Sequence, residues 1–178
     1  MRINFSFVYG GDFEPSRTGR SRHDLWCQWK SRYTDRDNYA CRCPSVAVQA
    51  DGKIVAVGNS LMNVIPNSHD DFAVVRYNAD GSLDATFGVG GIVTTDISES
   101  GFDDIAWSVA IQTDGKIIAA GYTATDPSVS QTAFAVVRYN TNGSLDTSFS
   151  GDGIVKTGSY YHAYSVALQT DNKIVVAG

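Results

Sequence analysis

At 178 residues, 43% hydrophobic and 19% charged, the chain has the composition of a folded globular protein and the length of one ordinary domain. A net charge of -5 argues against non-specific nucleic-acid binding. The longest apolar runs, such as IVAVG at 54–58, are far too short for a helical membrane span, and no stretch of signal-peptide type opens the chain, so the product is expected to stay where it is made, with neither a nucleic acid nor a membrane as partner.

The first 43 residues form a head with its own character. Arg2, Arg17, Arg20, Arg22, Lys30, Arg32, Arg36 and Arg42 concentrate the basic charge there, and Cys27, Cys41 and Cys43 form an odd set that does not read as a disulfide framework. Within the head, 3–9 (INFSFVY) is the best strand and 26–33 a second one.

From residue 44 onward the chain repeats. SVAVQADGKIVAVG begins at Ser45, SVAIQTDGKIIAAG at Ser108 and SVALQTDNKIVVAG at Ser165, while FAVVRYNADGSLDATFGVGGIV from Phe72 is matched by FAVVRYNTNGSLDTSFSGDGIV from Phe134. The period is 63 residues from Gln49 to Gln112 and 57 from Gln112 to Gln169. Short β-branched and aromatic runs alternate with Asp-Gly, Asn-Gly and Gly-Gly, whose positive φ suits tight turns. In the second unit the strands are predicted at 108–112, 116–121, 134–139 and 154–157, with a hairpin turn at Thr113-Asp114-Gly115. The body therefore divides into 44–105, 106–162 and the half unit 163–178. Four antiparallel strands recurring at about sixty residues describe the blade of an all-β propeller, with about three blades per chain.

These blocks resemble the delta-sixty repeat family of bacterial propellers, whose signature joins VAVQxDGKIVVAG to FAxxRYNxDGSLDxxFG. The resemblance covers 45–178. It implies an architecture and a binding or structural role, carries no catalytic motif, and implies parent proteins that are usually large and secreted or surface-attached.

The repeat also predicts LDxTFGxxGxV some twenty residues before Ser45, where the chain reads RHDLWCQWKSRY. Read one base forward with permitted codons, the nucleotides for 21–33 encode LDTTFGANGKVV. Trp26 followed by Cys27 forces a glycine, and Trp29 followed by Lys30 forces another. The shifted Phe falls 21 residues before Val46, against 22 from Phe87 to Val109. We read the head as an out-of-frame translation of a blade, the frame changing after Asp12-Phe13 and reverting near Cys43-Pro44. The parent gene sequence is the check.

Propellers close with typically four to eight blades, because an open arc exposes strand edges and core. The third unit stops after its second strand, and the head begins near the third-strand position. The two ends are thus complementary, and the expectation is a homodimer in which strands exchanged between the N- and C-terminal ends complete a six-bladed ring. Closure within one chain is the alternative.

The SVAxQ strand is expected to be the innermost, so the residues leading into it surround a channel mouth. They are Cys41 to Pro44, Asp104 to Trp107 and Tyr161 to Tyr164, with His69, Asp70, Asp71 and Asp126 on loops at the rim. Candidate metal ligands are His162, Asp104, Cys41, Cys43, His69 and Asp71. His and Cys suit zinc, whereas carboxylates alone suit calcium. His162 and Asp104 are the candidates for catalysis should the chain be a metal-dependent hydrolase of phosphate or carboxylic esters. That alternative rests on analogy with channel-metal propellers of other families, and the plainer expectation for these side chains is a polar loop. Asp84 and Asp146, in GSLD, are read as turn formers.

Overall fold

The chain divides after Ala40, and a computed structural model describes residues 43–64, 67–98, 101–126, 128, 131–158 and 161–178, all in the second part. The head strands at 3–9 and 26–33, Cys41 and the out-of-frame segment lie outside the described residues.

Ten strands follow one another: β1 (Ser45–Val48), β2 (Ile54–Val64), β3 (Asn67–Tyr77), β4 (Ile92–Thr95), β5 (Asp104–Ile111), β6 (Ile117–Ala124), β7 (Thr132–Tyr139), β8 (Ile154–Thr157), β9 (Ser165–Leu168) and β10 (Ile174–Ala177). They pair with their sequence neighbours in three antiparallel sheets, β1-β2-β3-β4, β5-β6-β7-β8 and the two-stranded β10-β9. Two whole blades and half of a third are what the repeat predicts.

The inner hairpin turns are alike because their backbone demands are alike. Gly52 and Gly115 sit at φ 84° and 83°, in the left-handed region where a side chain crowds the backbone, and the Asp before each accepts the following Lys N–H at 3.1 Å. The third copy reads TDNK and places Asn172 at φ 64°, a conformation that Asn tolerates better than most residues.

Side chains alternate across each strand, and the alternation sorts the core. One cluster joins Val55, Val57, Phe72, Val74 and Phe87 of the first blade to Val109, Ile117, Ala119, Val137 and Tyr139 of the second. The opposite face of the second blade, Ile118, Ala120 and Val136, packs with Val166 and the half-blade. Every residue of β6 is therefore buried, because both of its faces are covered. The half-blade differs: Val166, Leu168, Ile174 and Val176 point inward, while Ser165, Ala167, Val175 and Ala177 are exposed.

Consecutive blades are also keyed by polar contacts that repeat. Ser45 Oγ accepts Val109 N–H at 3.3 Å, and Ser108 Oγ accepts Val166 N–H at 3.1 Å, so the first strands of successive blades lie side by side. This is the arrangement expected of innermost strands.

Two local readings are corrected. Asp104 to Trp107 do not form a connection before the inner strand: they open β5, and a bulge between Ala106 and Ser108 absorbs the extra residue. Ile105 O then lies so close to β6 that a Cβ on Gly121 would meet it at 1.9 Å, which is why that strand carries glycine there. His69, Asp70 and Asp71 do not lie on a loop either. β2 and β3 pair from Ile54↔Tyr77 out to Val64↔Asn67, and backbone pairing of this kind proceeds whatever the polarity of the side chains.

Candidate metal centre

Extension of β3 determines where three chemistry-bearing side chains stand. His69 and Asp71 are two residues apart on the strand and share a face. β4 pairs with β3 through Phe72↔Thr95, so one further step of the same register brings Asp96 beside Asp71. Ligand atoms of His69, Asp71 and Asp96 all lie within 4.8 Å of one another, the closest named approach being His69 Nε2 to Asp71 Oδ1 at 3.4 Å.

The second blade closes over this group. Gly101, at φ 69°, passes the ring of His69, and Asp70 N–H donates to Asp103 Oδ1 at 3.0 Å. Asp104, fully buried, accepts from Ile97 N–H at 2.6 Å and Ser98 N–H at 3.1 Å through Oδ2, which holds the β4–β5 connection against the start of β5.

Burial of this much acid has an electrostatic signature. Removal from water pushes the Asp71 carboxyl up to about 6; His69 opposes the shift, and Asp96, Asp104 and Asp70 add to it by repulsion. Burial likewise raises Asp104, against the hydrogen bonds it accepts. Asp71 Oδ1 and His69 Nδ1 are buried and have no hydrogen-bond partner among the described residues. Such atoms cost free energy unless something satisfies them.

The other sequence candidates stand elsewhere. His162 stacks on Tyr122 with centroids 4.2 Å apart, and its Nδ1 lies 3.3 Å from Tyr164 Oη. Burial and neighbouring acids push the Tyr122 phenol up to about 12, so it is neutral at pH 7. Cys43 is exposed, with Sγ 3.7 Å from Ser45 O. Asp126 accepts Ser128 N–H at 2.8 Å in a turn. His69 and Asp71 come together with Asp96, whereas Asp104 adjoins them and His162 and Cys43 do not join the group.

Asp96 was not among the sequence candidates. Aligning the two whole blades would have found it, because His69, Asp71 and Asp96 face Gln131, Ala133 and Gly158 in the second blade, although the flanking FAVVRY and Ile-Val blocks match. The three positions depart from the repeat together.

One further set of polar side chains is engaged within the fold and recurs in both blades. Arg76 Nε donates to Asp84 Oδ2 at 2.8 Å and Arg138 Nε to Asp146 Oδ2 at 2.7 Å. Lys53 and Lys116 approach the same carboxylates at 3.3 and 2.8 Å. Each Asp also accepts the N–H two residues on at 3.1 Å, which is the turn-forming role expected of GSLD.

Residues 49–87 and 112–149 match the model of a family described as "Domain of unknown function (DUF5122) beta-propeller". No curated protein matches the chain. The match and the antiparallel four-stranded sheets together identify a β-propeller repeat.

Proposed function

We propose that the chain is a propeller repeat module of the delta-sixty type with a structural or binding role, and that a second copy closes its arc into a six-bladed ring. The observation that carries the module reading is that consecutive blades are keyed to each other by repeated contacts. Arg76 of the first blade donates through Nη1 to Thr141 O of the second at 2.5 Å. Arg138, its counterpart, has the same Nε contact with Asp146 and donates through Nη2 to Ser148 Oγ at 3.1 Å.

The outward face of the half-blade points the same way. Val175 is 45% exposed there, and β10 has β9 as its one partner among the described residues. Such an edge is a template for further strands. In this scheme strands from the second copy's head complete the half-blade, and Arg138 meets there the counterpart of the Thr141 carbonyl.

The test is the mass in solution. Sedimentation velocity and light scattering across the micromolar range are expected to give twice 19.2 kDa. A chain that stays at the single mass throughout that range overturns ring closure by a second copy. The ester-hydrolase alternative gains nothing from the described residues: His162 is engaged by the Tyr122 ring and the Tyr164 hydroxyl, and Asp104 Oδ2 by backbone N–H groups.

A further inference from the structure

We infer that His69, Asp71 and Asp96 form a binding site for one divalent cation of the zinc class, which fastens β3 to the chain leaving β4. The inference is independent of ring closure.

Three observations meet at this place. The first is geometric: one imidazole and one carboxylate of β3 and the carboxylate just after β4 bring ligand atoms within 4.8 Å of one another. The second is an unmet demand. Asp71 is only 4% exposed, and its Oδ1, turned toward the His69 ring at 3.4 Å, accepts no hydrogen bond. A carboxylate removed from water and left in this state is costly. A bound dication becomes the largest local charge and reverses the sign of that cost.

The third is that the fold does not require these residues. The second blade forms the same four-stranded sheet with Gln131, Ala133 and Gly158 in their places. Elsewhere the aspartates serve turns: Asp51, Asp80, Asp114, Asp152 and Asp171 each accept the N–H two residues on. Asp71 serves no such turn, because it lies within a strand.

The donor set selects the ion. An imidazole nitrogen with two carboxylate oxygens suits zinc and its first-row neighbours, whereas calcium takes six to eight oxygens. Three protein ligands leave at least one position to water. Ser98 Oγ, which donates to Asp96 Oδ1 at 3.1 Å, orients that carboxylate from outside.

The test uses the whole chain, freed of metal by chelator and titrated with zinc by calorimetry. We expect one saturable site per chain, and a cobalt-loaded form whose visible spectrum lacks an intense thiolate charge-transfer band. His69→Gln, which installs the second blade's residue, and Asp96→Asn, at an exposed position, are each expected to weaken zinc binding at least tenfold. His162→Gln is expected to leave it unchanged. The proposal is overturned if zinc does not bind saturably, if both ligand variants bind as the parent does, or if the cobalt spectrum shows thiolate ligation. Calcium binding in preference to zinc overturns it too, since the imidazole would then have no part.

Discussion

Arg138→Lys tests whether a second copy gives Arg138 the contact that Arg76 makes with Thr141. Both arginines stack over a phenylalanine, Arg76 at 4.5 Å from Phe87 and Arg138 at 4.6 Å from Phe149, and both bind their own Asp through Nε. They differ in one hydrogen bond, from Arg76 Nη1 to Thr141 O. Lysine keeps the charge near the aspartate but loses the planar fork, so comparison of Arg76→Lys with Arg138→Lys isolates that bond. A hydrogen bond to a charged group contributes about 1.5 to 3 kcal/mol. In dilute single chains Arg138→Lys should therefore be less destabilising than Arg76→Lys by about that amount in urea unfolding. In sedimentation equilibrium the same substitution should weaken self-association by roughly ten- to hundredfold, because 1.4 kcal/mol is a factor of ten. Unchanged association by the variant would refute the assignment of Arg138 as the contact to a following blade.

Three other outcomes follow from the same structure. Tyr139 Oη and Thr95 Oγ1 lie 2.8 Å apart in the core between the blades, so Tyr139→Phe should strand the buried Thr95 hydroxyl and cost about 1 to 3 kcal/mol in denaturant unfolding; an unchanged midpoint would mean that the pair is not formed. Ser150 holds φ 58° where the first blade has Gly88, and Ser150→Gly should stabilise by about 1 kcal/mol, with Asn172→Gly giving less because Asn suits that region; a fall in melting temperature for Ser150→Gly would contradict the strain. Asp84, through the Thr86 hydroxyl first, and Asp146, through Lys116 first, are held well below the ordinary value of 3.8. Depressed carboxylates stabilise fully above their unfolded pKa and lose that contribution as pH falls through the lower folded one. Asp84→Asn with Asp146→Asn should flatten the loss of stability below pH 4, and an acid limb parallel to the parent's would count against the brackets.

The blades were legible because backbone need and residue type coincide in them. Gly52 and Gly115 announce turns that only a left-handed residue closes easily, and the alternation of Ile117 and Ala119 against Ile118 and Ala120 announces a strand covered on both faces. Strand ends were less legible. β2 and β3 run through Asn63 and His69 because cross-strand backbone bonds are indifferent to side-chain polarity, so a polar stretch read as a loop is strand. The bulge at Trp107 had no single-residue signal, although Gly121 opposite it is its trace. Asp96 escaped because one aspartate after a strand looks like any turn residue, and it acquires meaning only from the register that sets it beside Asp71.

In a repeat, identity and departure carry different information. Arg76 and Arg138, Asp84 and Asp146, Lys53 and Lys116, and the serines that key one inner strand to the next are alike because each blade faces the same packing problem. A group that meets that problem cannot also be free for a ligand, since its hydrogen bonds are already committed. Selection for chemistry must then act on positions that the blade can fill with several residue types. His69, Asp71 and Asp96 are such positions, because Gln131, Ala133 and Gly158 occupy them in a blade of the same topology. Replacing an alanine-like position by a buried aspartate lowers stability unless a partner accompanies it. The buried carboxyl of Asp71, beside the His69 ring and short of a hydrogen bond among the described residues, is therefore harder to account for as packing than as half of a contact with a cation.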